Sequence, residues 1–512
     1  MRSNLPAELI CWSSAALLTA APAWAESTAP AGAAATTAPA VANRPNLLIV
    51  FPDQMRGTAM GFMGEEPVRT PALDRFAEQS RVFTQAVSTY PLCSPFRGTL
   101  MTGRHAFSSG VWGNCNSRTA PAGCELPTDA VCWSDILKAR GYSLGYIGKW
   151  HLDAPRRPYV DTSNNRGDIA WNEWCPPERR HGFDYWYAYG TYDQHLRPMY
   201  WTADATRDGF HYVDQWGPEH EADQALRFIR NEGGTYRDPK KPFALVISMN
   251  PPHTGYELVP PRYLRRYDDL DVEALAASRP QVPPADTKGG RYYRQNTKFY
   301  YAQITGVDEQ FGRILEGLRE AGLEDNTVVL FTSDHGDCIG AHGELGKNNP
   351  YEEAMRVPFL IRWPGRIAPG RDEAMVASAD ICPTLLDLLG YSAQIPPEVE
   401  GVSLAPTLRG EPGPRPDAQL YLFVTDGWDD QRRFTLGRRG LRTRDYKLIV
   451  ERTNGRPETV TLFDRKRDPN ELSNVAGEHP DIVRQLRANM EDRLQAIGDP
   501  WVQPNPAPQA RP

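Results

Sequence analysis

Four short apolar runs, each followed at once by polar residues, constrain the fold of this chain more than any other feature. A continuous apolar run of this length is typical of a strand that is buried on both faces of a sheet. The polar residues then stand at the carboxyl end of each strand. The runs are residues 45–51 before Asp53, 142–147 before Lys149 and His151, 243–248 before His253, and 327–332 before Asp334 and His335.

Helical patterns lie between these runs, at residues 222–231, 300–321 and 381–389. Strands that alternate with helices predict an α/β fold: a large mixed, mainly parallel sheet covered by helices on both faces. Ligands of such sheets bind beyond the carboxyl ends of the strands, so we expect the polar residues to converge on one site. Residues 154–220 and 254–296 lack clear periodicity and are predicted to be long loops that cover it.

The chain of 512 residues is too long for one core, because single cores stop growing at roughly 250 to 300 residues. After a Gly/Pro-rich stretch at 410–416, the pattern changes to short strands near 419–424, 433–436, 446–451 and 460–463, then a helix at 480–497. We therefore predict a catalytic domain at 45–412, a smaller C-terminal α+β subdomain at 413–497 and a disordered tail at 498–512.

The amino-terminal residues predict export. An apolar run at residues 9–21 precedes Ala23-Trp24-Ala25, which places small residues where a signal peptidase cuts. We predict a signal peptide at 1–25, an Ala/Thr/Pro-rich linker at 26–44 and a periplasmic or secreted protein; a disordered start or a membrane anchor is the alternative. No later apolar stretch is long enough to span a bilayer, so no transmembrane span is expected in the mature chain.

Charge and cysteine content narrow the class of protein further. The net charge of -7 and a pI near 5.9 argue against a nucleic-acid partner, which requires a basic surface. Of the eight cysteines, Cys11 lies in the predicted signal peptide. An oxidising compartment permits disulfides, and the close spacing of Cys115, Cys124 and Cys132 allows one loop bridge among them.

The segment from Cys93 to Arg104 reads Cys-Ser-Pro-Phe-Arg-Gly-Thr-Leu-Met-Thr-Gly-Arg. It resembles the signature of the formylglycine-dependent sulfatases of the alkaline phosphatase superfamily, C-x-P-x-R followed by L/M-T-G-R. Phe96 stands where that family usually has Ser or Ala. The resemblance extends over most of residues 45–495 and implies a sulfuric ester hydrolase, whose substrate we expect to be a sulfated carbohydrate.

The resemblance implies that Cys93 is oxidised to formylglycine by a separate formylglycine-generating, or sulfatase-maturating, enzyme. A thiol suits this reaction poorly, because a sulfated thiol still needs a second nucleophile to release sulfate. A hydrated aldehyde carries two hydroxyls, of which one attacks sulfur and the other expels sulfate as the aldehyde re-forms.

The same resemblance assigns roles to five further residues. Arg97 and Lys149 are expected to hold the hydrated aldehyde, and His151 to take the proton that drives sulfate release. His253 and Lys347 are expected to bind the sulfate and assist the leaving oxygen. Each residue type supplies a cation or a proton carrier, which the charge on a sulfate ester requires.

A divalent cation, Ca²⁺ in most of the family, is expected at Asp53 and Asp334, with Cys93 and His335 beside it, because hard cations take oxygen ligands. Family members commonly carry two adjacent acids after the first strand, whereas Pro52 precedes Asp53 here. Gln54, water or Asp337 could fill the gap. His342 and Gln54 are expected to contact the ligands of the cation without binding the cation themselves.

Other functions stay open at this point. An arylsulfatase, a choline sulfatase, and a phosphonate or phosphodiester hydrolase of the same superfamily would share these motifs. A non-catalytic binder of sulfated glycans is the alternative from another class, motivated by Pro52. The aromatic segment 185–201 is expected to line the substrate pocket, because aromatic rings stack on sugars.

Overall fold

The computed structural model describes residues 44–424 and 434–502. The predicted signal peptide, the linker up to residue 43 and residues 503–512 of the predicted tail lie outside this part. None of the helices within it has both the length and the apolar character that crossing a bilayer requires.

A ten-stranded mixed sheet forms the main body of the protein. Its strand order is β10-β2-β9-β8-β1-β7-β3-β4-β5-β6, and the central strands from β8 to β4 run parallel. The strands are β1 (Asn46–Pro52), β2 (Arg81–Phe83), β3 (Ser143–Lys149), β4 (Tyr185–Tyr189), β5 (Met199–Thr202), β6 (His211–Tyr212), β7 (Phe243–Met249), β8 (Thr327–Thr332), β9 (Phe359–Arg362) and β10 (Gly370–Asp372).

The central strands are apolar throughout because both faces of the sheet are covered. In β1, Leu47, Ile49 and Phe51 belong to one core cluster and Leu48 and Val50 to the other. Successive side chains of a strand point to opposite faces, so each cluster receives every second residue. The four apolar runs are β1, β3, β7 and β8, which confirms the predicted α/β fold.

Helices fill both layers. One face carries α2 (Cys93–Thr102), α4 (Trp133–Ala139) and α10 (Ser378–Leu388), and the other carries α1 (Pro71–Glu78), α5 (Gly217–Arg230) and α8 (Lys288–Glu320). The shorter helices are α3 (Ala106–Ser109), α6 (Pro261–Leu264), α7 (Val272–Ala277), α9 (Glu352–Met355) and α11 (Ala405–Leu408).

The two predicted loop regions are partly wrong. Strands β4, β5 and β6 lie within residues 154–220 and extend the sheet, and α6, α7 and the start of α8 lie within 254–296. The aromatic residues of 185–201 are mostly core: Tyr189 is 3% exposed and Trp201 1%. Apolar and polar residues do not alternate along β4 and β5, because these strands are also covered on both faces of the sheet. Their sequence therefore lacks the signature of a half-exposed strand.

A second, antiparallel sheet follows in the C-terminal part, with the order β11-β12-β13-β14. Its strands are β11 (Ala418–Phe423), β12 (Gly437–Thr443), β13 (Tyr446–Arg452) and β14 (Thr459–Asp464), and α12 (Pro480–Ala496) packs on it. The α+β subdomain is thus confirmed. Of the strand predicted at 433–436, residue 433 lies outside the described residues, and residues 434–436 precede the strand, which begins at Gly437. The division at residue 412 stays a prediction, since both sheets lie in one compact unit.

Candidate active site

Adjacent parallel strands bring the polar residues together. The strands β8, β1, β7 and β3 are neighbours in that order, so their carboxyl ends lie side by side. Asp53 follows β1, Lys149 ends β3, and His253 and Asp334 follow β7 and β8. The backbone before Lys149 requires glycine: Gly148 has φ +94°, and a Cβ there would lie 2.2 Å from the carbonyl oxygen of Ser248.

Cys93 is the first residue of α2 and is buried among these strand ends. Pro95 is tolerated because the first turn of a helix leaves its N–H groups unpaired. Gly103, with φ +68°, ends the helix in the left-handed conformation. Phe96, the departure from the family signature, is 1% exposed and packs its ring 6.1 Å from that of Phe51. It therefore fills the core beneath β1 instead of facing the site.

Asp53, Cys93, Asp334 and His335 form one buried cluster whose potential ligand atoms all lie within 4.8 Å of one another. His335 Nε2 lies 3.3 Å from Cys93 Sγ, 3.6 Å from Asp53 Oδ1 and 3.7 Å from Asp334 Oδ1. The structure thus brings all four residues of the predicted metal site together.

The chemistry of this cluster fits a divalent cation. Burial, together with the charge of Asp53, raises the pKa of Asp334 to about 6, a repulsion that a bound cation would relieve. His335 Nδ1 lies 2.8 Å from the carbonyl oxygen of Gly336 and donates its hydrogen there, so in the neutral ring the Nε2 lone pair is directed at the cluster. This is the arrangement of a metal-binding histidine with a backbone acceptor behind it.

Two fixed cations lie against the same carboxylates. Lys149 Nζ is 2.7 Å from Asp53 Oδ2, and Arg97 Nη2 is 3.0 Å from that oxygen and 3.3 Å from Asp334 Oδ2. Arg97 also donates to Ser248 Oγ at 2.7 Å and lies over the ring of Phe51. Both cations are fully buried, so solvent screens them little.

These charges favour an anion at position 93. Burial and the Asp53 carboxylate oppose ionisation of Cys93, but Lys149, Lys347 and His335 together hold the pKa of the thiol well below its usual value. Lys149 Nζ lies 3.9 Å from Cys93 Sγ. An oxygen nucleophile attached to this carbon would be stabilised in the same way.

His151 is arranged to accept a proton. Its Nε2 lies 3.2 Å from the carbonyl oxygen of Cys115, so this nitrogen carries the hydrogen and Nδ1 keeps its lone pair. Nδ1 is buried without a hydrogen-bond partner of acceptable geometry in the described part of the chain. Burial lowers the pKa of His151 although the nearby Cys93 opposes this, which keeps the ring neutral.

His253 and Lys347 form a pair at the more open side of the site. Lys347 Nζ lies 2.7 Å from His253 Nε2 and also donates to Gln54 Oε1. Lys347 is half-buried, and His253 is 9% exposed. Two nitrogen donors at this opening can hold a dianionic or monoanionic ester group.

Gln54 and Asp337 are the two residues considered as replacements for the acidic ligand that is absent at Pro52, and both make other contacts. The Gln54 side chain bridges Lys347 to Tyr256 and Asp337, and its backbone N–H donates to Asp334 Oδ1 at 2.9 Å. Asp337 is held by Gln54, Tyr256 and the N–H of Ile339. Asp337 is not in the cluster, the Gln54 amide is engaged by Lys347, Tyr256 and Asp337, and Pro52, the last residue of β1, still delivers Asp53 to the cluster.

His342 lies apart from the cluster. Its Nε2 is 3.2 Å from Glu353 Oε2, and its ring stacks on that of Tyr351 with a centroid distance of 3.7 Å. These contacts shape the segment after Lys347, so any effect of His342 on the site is indirect.

Asp193 was missed at the level of sequence. Its Oδ1 lies 3.2 Å from His253 Nδ1, within a segment that was interpreted as a covering loop. One aspartate among many in an aperiodic region carries no signal of its own. In the structure, Asn250 Nδ2 donates to Asp193 Oδ1 at 3.1 Å and holds this carboxylate beside His253.

Comparison with known proteins gives one consistent family. The family model described as "Sulfatase" matches residues 45–391, and "N-sulphoglucosamine sulphohydrolase, C-terminal" matches 340–498. An endo-4-O-sulfatase of Bacteroides thetaiotaomicron is 39% identical, covering 90% of this chain and 94% of its own. An ulvan-active sulfatase of Formosa agariphila is 31% identical, covering 89% and 82%. A Bacteroides fragilis crystal structure described as a sulfatase is 52% identical, with a TM-score of 0.86 over 90% of this chain and 97% of that one.

Proposed function

This chain belongs to the sulfatase family and is a sulfuric ester hydrolase, and from that premise we propose that it removes sulfate from a sulfated glycan at the Cys93 centre. The observation that carries the proposal is the buried group formed by Cys93, two carboxylates and two fixed cations. An anionic ester can be activated there without competition from bulk water.

Cys93 is the proposed position of formylglycine, made by a maturation enzyme that this chain requires as a partner. Once hydrated, the aldehyde supplies two hydroxyls on one carbon, one to attack sulfur and one to release sulfate. Lys149 and Arg97 hold the oxygens on this carbon, because Lys149 Nζ lies 3.9 Å from Cys93 Sγ and Arg97 contacts Asp53 in the same cluster. His151 removes the proton for sulfate release, since its Nδ1 lone pair is free to accept it.

His253 and Lys347 act at the opposite end of the ester. Their paired nitrogens face the open side of the site, where both can bind sulfate oxygens. Protonated His253 donates its Nε2 proton to the bridging oxygen as the bond from sulfur to that oxygen breaks. A sugar alkoxide is a poor leaving group, so this proton is required for a glycan substrate.

Asp53, Asp334 and His335 would hold the divalent cation that we propose, and Ca²⁺ suits the two carboxylate oxygens. Bound there, the cation lowers the pKa of a neighbouring hydroxyl and neutralises the two acids. Gln54 supports the site through Lys347 and through the N–H bond to Asp334.

A sulfated glycan is the proposed substrate class because one relative that covers most of the chain is named as active on ulvan and another is named an endo-4-O-sulfatase. Trp171 offers a half-exposed ring 6.4 Å from that of His151, a suitable stacking surface for a sugar. The proposed location is the periplasm or the exterior, supported by the sequence around Ala23-Trp24-Ala25. Intact-mass analysis of the mature protein tests this, since cleavage removes residues 1–25.

Sulfate release from a panel of defined sulfated saccharides tests the function. The protein is coexpressed with a maturation enzyme, and the formylglycine fraction at position 93 is measured by peptide mass spectrometry. Activity should rise with that fraction. Cys93→Ala should abolish turnover, and Cys93→Ser should give at most one sulfation event without release. Cys175→Ala, at a buried cysteine outside the site, is the matched control and should retain activity.

Matched phosphate and phosphonate esters on the same preparation separate this proposal from the superfamily alternatives. Preferred turnover of those esters would reassign the substrate class. Sustained turnover by Cys93→Ala, or full activity with unmodified Cys93, would refute the proposed centre. Binding of sulfated saccharides without sulfate release by the fully converted protein would refute glycan desulfation.

A further inference from the structure

Asp193 lies directly behind the proposed proton donor. It belongs to the loop between β4 and β5, and its Oδ1 is 3.2 Å from His253 Nδ1. The other ring nitrogen, Nε2, is 2.7 Å from Lys347 Nζ. His253 is thus held between a carboxylate on one side and the site of sulfate binding on the other.

The loop that carries Asp193 is fixed to the His253 segment by four further hydrogen bonds. Asn250 Nδ2 donates to the carbonyl oxygen of Tyr192 at 3.0 Å and to Asp193 Oδ1 at 3.1 Å. His195 Nε2 lies 3.2 Å from the carbonyl oxygen of His253 and 3.0 Å from that of Thr254. These contacts set the position of the carboxylate independently of its pairing with His253.

The contacts of His253 also fix its tautomer. Nδ1 lies 3.2 Å from Asp193 Oδ1 and 3.0 Å from Thr254 Oγ1. The carboxylate only accepts, the hydroxyl can accept, and the Lys347 ammonium can only donate to Nε2, so Nδ1 must carry the hydrogen. Nε2 then faces Lys347 as the acceptor, and it is the atom that gains a proton when an anionic ester binds. Burial and the two lysines oppose a charged ring, whereas the Asp193 carboxylate, which lies outside the proposed cation site, raises the pKa of His253. In turn, His253 holds the pKa of Asp193 well below its usual value despite burial.

We propose that Asp193 is a positioning residue for His253, which keeps the hydrogen on Nδ1 and stabilises the ring in its doubly protonated form. The inference rests on the proposed function, in which His253 protonates the leaving oxygen. In that step, the Nε2–H bond breaks as the proton passes to the ester oxygen, and the ring returns to the neutral Nδ1–H tautomer. Asp193 remains ionised throughout, as an orienting carboxylate does in an Asp-His pair.

This role differs from that of a surface ion pair. The side chain of Asp193 is 34% exposed and that of His253 only 11%, and a half-buried partner is screened less by solvent. On the same loop, Arg197 pairs with Asp214, whose side chain is 89% exposed. Asp214 therefore provides a matched control: an aspartate of the same region with no contact to His253.

Leaving-group dependence tests the role of Asp193. Wild type, Asp193→Asn, Asp193→Glu and Asp214→Asn are compared on 4-nitrophenyl sulfate and phenyl sulfate. The first leaving group departs without a proton, whereas the second needs one. The ratio of the two kcat/KM values is independent of the folded fraction of each preparation. Asp193→Asn should reduce kcat/KM more for phenyl sulfate than for 4-nitrophenyl sulfate, and the two fold losses should differ by about tenfold or more. General acid catalysis contributes roughly 10²- to 10⁴-fold, and only phenyl sulfate needs it.

Asp193→Glu should restore part of the ratio, since it keeps the charge, and Asp214→Asn should leave the ratio unchanged. An equal loss on both esters by Asp193→Asn, or a shift of the ratio by Asp214→Asn, would overturn the inference while leaving the proposed function intact. A wild-type enzyme that releases sulfate from neither ester nor from any panel saccharide would refute the proposed function itself.

The tautomer can be read without turnover. The chain has only 10 histidines, so the ¹⁵N resonances of His253 can be assigned by comparison with His253→Gln. In the neutral ring of wild type, the hydrogen should be on Nδ1, and Asp193→Ala should transfer a substantial fraction to Nε2. A wild-type ring with its hydrogen mainly on Nε2 would overturn the inference regardless of the kinetic result.

Discussion

Glu352 accepts two hydrogen bonds from Arg442, each 2.7 Å long. Glu352 begins α9, five residues after Lys347, whereas Arg442 lies in β12 of the smaller sheet. Lys447 and Arg465 contact the same carboxylate at 2.9 Å. Burial opposes ionisation, but these three cations hold the pKa of Glu352 well below its usual value. The C-terminal subdomain thereby anchors the segment that supplies Lys347.

Arg442→Met should destabilise the protein and weaken substrate binding. Removing one partner from a buried ion pair costs about 3 to 5 kcal/mol in the absence of rearrangement, and the remaining cations around Glu352 place this variant at the lower end. Denaturation midpoints and the KM for a sulfate ester would measure both effects. Arg444→Met is the control, because Arg444 and Glu373 form an exposed pair that contributes about 0 to 1 kcal/mol. Equal effects in the two variants would show that the subdomain does not anchor Lys347.

Asp334→Ala should remove the bound cation and the activity together, because it takes one of two carboxylates from the cluster. Metal content per chain, measured by mass spectrometry after dialysis, gives the result. Asp337→Asn is the matched comparison and should keep its metal, since Asp337 binds Gln54 and Tyr256 outside the cluster. Full metal occupancy in Asp334→Ala, or metal loss in Asp337→Asn, would reassign the ligands.

The sequence predicted the central sheet and the chemistry at its edge because both leave local signatures. Strand β1 is apolar at every core position, and its polar neighbour Asp53 comes directly after it. The resemblance then identified residues that the structure does bring together, such as Cys93 with His335. Their roles, by contrast, stay predictions until activity is measured.

What the sequence could not predict depends on contacts between distant segments. The first turn of α8 contains Gly289 and Gly290, which normally disfavour a helix, but a Cβ at Gly290 would lie 2.0 Å from the carbonyl oxygen of Pro284. Tertiary packing therefore decides where this helix begins. The pairing of Asp193 with His253 is of the same kind, since 60 positions separate two residues with no shared motif.

Glu221→Gln should change how stability depends on pH. Glu221 is fully buried in α5, accepts from Tyr200 at 3.1 Å and from Tyr189 at 3.4 Å, and burial raises its pKa to about 8. A raised carboxyl pKa means that the folded state binds the extra proton. The stability that this provides is complete below about pH 4.5, declines as the pH rises and is lost above about pH 8.

Glutamine keeps the shape without the ionisation, so the stability of Glu221→Gln relative to wild type should improve as the pH rises from 5 to 9. The change should be on the order of a few kcal/mol. Denaturation midpoints across this range measure it, with Glu257→Gln as an exposed control. A relative stability that is constant with pH, or that falls, would mean that Glu221 is ionised in the folded protein.

Cys115 and Cys124 should form a disulfide when the protein folds with oxidised glutathione. Both thiols are buried, and burial together with the neighbouring Cys124 raises the pKa of Cys115. The two thiols lose two electrons and two protons, and oxidised glutathione takes them up as two reduced thiols. Closing this short loop should stabilise the protein by about 2 to 3 kcal/mol. It should also secure the Cys115 carbonyl that binds His151, so activity should be retained.

Peptide mapping without reduction would locate the bridge, and Cys124→Ser should eliminate it. A bridge from Cys115 to Cys132, or two free thiols after oxidative folding, would contradict this pairing.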